Sequence, residues 1–271
     1  MDRKRKITQV LATLACNAHL KGLWTGELFR GRSKGLCVPG LNCYSCPAAV
    51  GSCPLGALQT SLTALRRGIN TLTVGLIMLF GIVFGRIVCG WLCPFGLLQE
   101  LLYMIPSPKR KWAFRFLRWL KYLILIVFVI AVPIATAFSR GIGIPAFCKY
   151  ICPQGTVGGA ALVWTSRNLT ELIGLLYGWK VAVLIAVAVL SVFVFRPFCR
   201  VLCPLGAIYG LFNRIALLRI RLDTEKCTGC GSCETVCPVQ LKPVQEHNSA
   251  ECIRCGKCLT ACGTDALRFL R

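Results

Sequence analysis

Two runs of four cysteines near the end of the chain restrict what it can fold into more than any other feature. They read Cys227-x2-Cys230-x2-Cys233-x3-Cys237-Pro238 and Cys252-x2-Cys255-x2-Cys258-x3-Cys262. Thiolates at i, i+3 and i+6 take successive corners of a cubane, because a tight turn brings them to a common centre. The fourth Cys of each run lies too far round to join its own trio and reaches the other cluster. The spacing therefore predicts two [4Fe-4S] groups. One is held by Cys227, Cys230, Cys233 and Cys262, the other by Cys252, Cys255, Cys258 and Cys237. Gly229, Gly231 and Gly256 let the backbone pass close to sulfide. A zinc ribbon would need two pairs with a longer gap.

The rest of the chain is apolar. Of 271 residues, 55% are hydrophobic and 15% charged, and mean hydropathy is +0.64. Soluble domains carry about 25% charged residues, so a disordered chain is excluded and several membrane spans are expected. The net charge of +22 lies wholly in residues 1–221, because the tail balances six acidic with six basic residues. There it punctuates apolar runs, which argues against a nucleic-acid partner and for contact with membrane lipid. Uncharged runs cover 69–85 and 122–138, and 172–195 is broken only by Lys180. Each is near the roughly 20 residues that cross a bilayer. The weaker stretch 7–24 is read as a first helix. With four spans, 16 basic residues fall on the side of the termini and 9 on the other, which predicts cytoplasmic termini. The expected fold is mainly α: about four transmembrane helices in a two-fold internal repeat (1–218), then an α+β ferredoxin-like domain (219–271).

Eleven further cysteines need an explanation. Cys-Pro-x-Gly recurs at Cys53, Cys93, Cys152 and Cys203, and three copies have a second Cys four residues upstream, at Cys89, Cys148 and Cys199. The first copy has Cys37, Cys43 and Cys46 before it instead. Arg86 and Arg196 each stand three residues before their Cys pair. A proline just after the Cys can start a helix, leaving the thiolate at a positive helix N-terminus. Cys89, Cys93, Cys199 and Cys203 are the right number for one cluster at the inner, cytoplasmic level. Cys148, Cys152, Cys37, Cys43, Cys46 and Cys53 fall on the outer side and supply candidates for a second centre. Disulfides among the outer six, or zinc, are the alternatives. Cys16 reads as a packing thiol and His247 as solvated. His19, one turn from Cys16, could serve a quinone or carry a proton.

These motifs resemble two known groups. The tail is similar to the bacterial two-[4Fe-4S] ferredoxin. The chain, well over about 70–271 and loosely over the first 30 residues, with R-x2-C-x3-C-P-x-G at Arg86 and Arg196, resembles NapH-type membrane iron–sulfur proteins, and shares motifs with NosR and CcoG-type proteins. That resemblance implies a multi-pass protein of the bacterial cytoplasmic membrane, a quinol-dehydrogenase-like subunit rather than a stand-alone enzyme. It implies electron passage between a cytoplasmic donor or quinone pool and an extracytoplasmic acceptor, with redox partner proteins on either side. The Cys37–Cys53 segment departs from plain NapH and favours one or two additional centres. A metal-centre maturation factor is the competing reading.

Overall fold

The computed structural model describes residues 2–64, 68, 70–110, 115–165 and 174–270. Arg66, Arg67, Lys111 and Arg167, counted above for orientation, lie outside the described residues, as do Ile69 and 172–173 at the starts of two apolar runs.

The chain is mainly helical. The principal helices are α1 (Asp2–Cys16), α2 (Pro54–Thr63), α3 (Thr71–Phe84), α4 (Pro94–Tyr103), α5 (Phe116–Arg140), α6 (Pro153–Thr165), α7 (Leu175–Phe193) and α8 (Pro204–Phe212). Among the described residues only α5 and α7, of 25 and 19 residues, are long and apolar enough to cross a membrane by themselves. The expected first helix over 7–24 is interrupted: α1 stops at Cys16 and a separate turn covers Gly22–Thr25. Helix α3 has 14 residues, a rise of about 21 Å.

Contacts along these four helices nevertheless show one alternating direction. Helix α1 starts beside Glu100 through Arg5, and its last carbonyl accepts from Asn42 at 3.2 Å. Helix α3 starts with Thr73 by Cys37 and ends with the Phe84 carbonyl on Arg254 of the tail. Helix α5 leaves the tail at the Lys121–Glu251 pair, and just beyond its far end Gly143 N–H donates to Thr63 at 3.2 Å. Helix α7 begins near Tyr150, an acceptor for Trp179 at 3.0 Å, and returns to Ser107. Leu11, Leu79, Ile126, Trp179 and Val189 are among many large apolar side chains exposed on them. Such a belt suits lipid, since soluble monomers rarely expose so large an apolar area.

Pro133 lies inside α5, and the chain meets it with a π-helical stretch, Leu125–Ala131. Val132 N–H bonds to Val127, so Pro133, which has no N–H, leaves the Phe128 carbonyl free. Gln59 of α2 supplies the missing donor at 2.9 Å.

The remaining four principal helices, α2, α4, α6 and α8, each begin with the proline of a Cys-Pro-x-Gly motif. Helices α4 and α8 run toward the tail: Tyr103 packs edge-on against Phe195 in the cluster that includes Val239, and Asn213 donates to Ser249 and Cys252. Helix α2 runs the other way, to Thr63. Their N-termini thus converge on one buried core that includes Cys53, Cys89, Cys93, Cys152, Cys199 and Cys203. The tail is a two-stranded antiparallel sheet, β1 (Arg219–Leu222) with β2 (Leu267–Leu270), enclosing three short helical turns.

Candidate functional site

Sixteen of the nineteen cysteines line four cavities, four in each. In the tail, Cys227, Cys230, Cys233 and Cys262 surround a cavity of ≈ 360 Å³. Cys237, Cys252, Cys255 and Cys258 surround one of ≈ 400 Å³. The fourth Cys of each run joins the other trio because the strand pair folds the two halves of the tail onto each other. The two cavities differ in surroundings. Cys230 and Cys262 are held below the ordinary thiol range by hydrogen bonds with the Ser232 and Thr264 hydroxyls, and Cys230 is exposed. Burial instead pushes Cys252 and Cys258 up to about 12.

The buried tail cavity meets the helical part through Arg254. This residue occupies a left-handed conformation, φ 50°, where the first run has Gly229 at φ 69°. A non-glycine residue is costly there, and its fully buried guanidinium compensates by donating to the Asn213 and Leu218 carbonyls. Trp91, two residues after Cys89, donates to the Arg254 carbonyl at 3.1 Å. A Cβ at Gly90 would sit 2.5 Å from the Ile253 carbonyl oxygen, so only glycine allows this approach.

Cys89, Cys93, Cys199 and Cys203 line the inner cavity, ≈ 320 Å³. Two buried arginines cross between the halves to hold it. Arg86 donates to the Cys199 carbonyl at 3.0 Å, and Arg196 donates to the Cys89 carbonyl. The glycine of each Cys-Pro-x-Gly makes room for them: a Cβ at Gly206 would lie 3.1 Å from Arg86 Nη2, and one at Gly96 3.1 Å from Arg196 Nη1. Each arginine shares a carboxylate with a second cation. Glu251 pairs with Arg86 at 3.1 Å and with Lys121; Glu100 pairs with Arg196 at 2.8 Å and Arg5 at 2.9 Å. Burial alone would raise the Glu251 carboxyl, but Arg86 and Lys121 hold it below its ordinary value.

The outer cavity is lined by Cys43, Cys53, Cys148 and Cys152. It repeats the inner plan with changed parts. Gln99 accepts from Phe198 N–H at 3.2 Å and donates to Cys199 Sγ at 3.0 Å. Gln59, equally placed after Cys53, accepts from Cys148 N–H at 3.2 Å. Lys180 takes the arginine's part, donating to the Cys148 carbonyl at 3.4 Å and standing 3.4 Å from where a Gly155 Cβ would be. Sequence reasoning passed over both glutamines, although the shared string Cys-Pro-x-Gly-x-Leu-Gln at 53–59 and 93–99 marks them.

Three cysteines stay outside these cavities. Cys37 lies 3.7 Å from Ser52 Oγ, Cys46 packs under Gly158, and Cys16 sits on α1. The expected separation of inner and outer sets to opposite membrane faces also changes. Leu41 lines both cavities, and a Gly40 Cβ would meet Cys93 Cα at 2.8 Å, so the Cys37–Cys53 segment wedges between two neighbouring sites.

The donor sets suit polynuclear iron. A cubane takes one thiolate per iron around its periphery, which is how each cavity is lined. Among the described residues no three His, Cys, Asp or Glu side chains close on a single ion. All nineteen thiols are free rather than paired.

A family described as a 4Fe-4S binding domain matches residues 70–113, 122–170 and 177–224, together more than half of the chain. A second domain of the same description matches 220–240 and 246–268. The chain belongs to the 4Fe-4S binding domain family. An uncharacterized protein of Methanocaldococcus jannaschii is 31% identical, over 71% of this chain and 75% of its own. The methylamine utilization ferredoxin-type protein MauN of Methylorubrum extorquens is 29% identical, over 86% and 73%. Ferredoxin-type protein NapH of Haemophilus influenzae is 26% identical, over 60% and 51%. No solved structure matches. The chain is a ferredoxin-type iron–sulfur protein, similar to proteins named NapH and MauN.

Proposed function

We propose that the chain is a membrane-embedded electron conduit with four [4Fe-4S] stations. The observation that carries this reading is the arrangement of sixteen cysteines as four neighbouring sets of four. Cys227, Cys230, Cys233 and Cys262 would hold the exposed tail station. Cys237, Cys252, Cys255 and Cys258 would hold the buried one. Cys89, Cys93, Cys199 and Cys203 form the inner membrane station, and Cys43, Cys53, Cys148 and Cys152 the outer, with Cys37 and Cys46 left over. Such groups supply one-electron carriage; the polypeptide spaces them and excludes water between them. Ile253 against Gly90 joins the tail to the inner set, and Leu41 joins inner to outer.

Residues 1–218 act as the membrane domain and 219–271 as the ferredoxin domain. The four alternating helices α1, α3, α5 and α7 form the four membrane legs, with both termini cytoplasmic by the 16-to-9 charge balance. A cytoplasmic redox protein meets the exposed tail station. A quinone or an extracytoplasmic reductase exchanges electrons at the outer end.

Iron and acid-labile sulfide per chain, with EPR on anaerobically purified protein, test the proposal. Four stations require about sixteen irons, and about eight would leave only the tail. Cys93→Ser and Cys203→Ser should each remove the same inner station while the tail signals persist. Wild-type iron in both variants would end the case for that station.

A further inference from the structure

The outer cavity is larger than its thiols explain. Three four-cysteine cavities leave ≈ 20, ≈ 30 and ≈ 10 Å³ for the centre of a water-sized sphere, whereas the outer one, part of it open to solvent, leaves ≈ 660 Å³. That space is on the scale of a small-molecule site. Among the described residues its lining includes Lys34 and Lys180 and no Asp or Glu.

Lys34 is the informative residue. It is 5% exposed, its Nζ is buried, and no hydrogen-bond acceptor among the described residues reaches it. It lies over the face of the Tyr44 ring, 4.8 Å from the centroid, with the Cys43 and Cys46 thiols close enough to interact electrostatically. A buried ammonium without an acceptor is expensive and calls for an anionic partner. Lys180 does not fill the same need, because it already donates to the Cys148 carbonyl. Lys34, Gly35 and Tyr44 also line a neighbouring open basin with Arg30, Arg32 and His19, where Glu27 is the one acid. The two cavities share Lys34, Gly35 and Tyr44, so basic side chains flank the way from the basin to the outer cavity.

We propose that the outer cavity binds, beside its four cysteines, a small ligand bearing an oxyanion group, with Lys34 as the counter-charge. This rests on the outer iron–sulfur reading only for the share of the cavity that the thiols' own group takes up. A free oxyanion and a phospholipid headgroup share this chemistry, and the test separates them.

The full chain is placed in neutral phosphatidylcholine nanodiscs and titrated with inorganic phosphate by calorimetry at fixed ionic strength, with iron measured on every sample. Wild type should show one saturable site. Lys34→Met should weaken it about tenfold or more, as expected for losing a charged hydrogen bond, and Lys34→Arg should retain it. If phosphatidylglycerol in the nanodisc blocks phosphate in wild type, the headgroup is the occupant; if phosphate still binds, the free oxyanion is. Should Lys34→Met lose iron, Tyr44→Leu, which removes the ring beneath the ammonium, is read in its place. No saturable binding by wild type, or unchanged affinity without Lys34, overturns the site. Full iron with no binding sinks this inference and leaves the conduit standing; binding in protein that lacks membrane-domain iron does the reverse.

Discussion

Replacing Arg196 with methionine tests the crossed arginine clamp. Arg196 is 1% exposed, donates to the Cys89 carbonyl, reaches the Gly90 carbonyl at 3.5 Å and pairs with Glu100 at 2.8 Å. Glu100 is not orphaned by the change, because both its oxygens keep Arg5 at 2.9 Å. What is lost is chiefly one charge-assisted bond to the cysteine carbonyl, about 1.5–3 kcal/mol, while Arg5 keeps the Glu100 charge compensated. Methionine roughly keeps the volume, so a cavity adds little. Arg196→Lys should fall between the two, since one ammonium cannot serve Cys89 and Glu100 in the fork geometry of a guanidinium. Arg196 has φ 48°, and Met and Lys both inherit that backbone, so their comparison isolates the head group. Thermal unfolding in nanodiscs should fall on the order of 10 °C for Arg196→Met, with loss of about four irons and intact tail EPR signals. Wild-type melting together with wild-type iron would refute the clamp.

Arg254→Gly should relieve the φ 50° backbone yet undock the tail, because the bonds to Asn213 and Leu218 go with the guanidinium; faster hydrogen exchange over 219–270 with tail iron retained is the expected readout. Gln59→Leu leaves the Phe128 carbonyl and the Cys148 N–H unpaired, about 1–3 kcal/mol for each buried group, and should remove the outer station before the inner one, seen as selective EPR loss. Tyr209→Phe deletes a single 3.0 Å bond to the Pro39 carbonyl, about 1 kcal/mol. It should lower the melting temperature slightly and leave iron unchanged; iron loss would mean that Tyr209 does more than pack.

The tail was legible because its chemistry is local: three-residue spacings determine which thiols can reach one corner, whatever surrounds them. Duplication of Arg-x2-Cys-x3-Cys-Pro-x-Gly likewise marked Cys89, Cys93, Cys199 and Cys203 as related pairs, and Pro94 and Pro204 do start helices. Hydropathy found α5 and α7, but it missed the break after Cys16, where Asn17 turns its amide back onto the Thr13 carbonyl. Local pattern could not say that Arg86 and Arg196 reach across to the other half, because crossing is a property of two packed helices. Nor could it choose Cys43 and Cys53 over Cys37 and Cys46. That choice depends on how a loop without regular structure threads between two cavities, with Gly40 against Cys93 and Leu41 shared. Counting residues along spans also placed the inner and outer sets a membrane apart. The chain after Gly143 folds back beside the middle of α5, and Gln59 ties Cys148 to the level of Phe128. Sequence alone determined which thiols stand at short, repeated spacings, since side-chain chemistry and spacing are local. The tertiary structure decided which of them line a common cavity and how near those cavities lie, since only packing brings together segments a hundred residues apart.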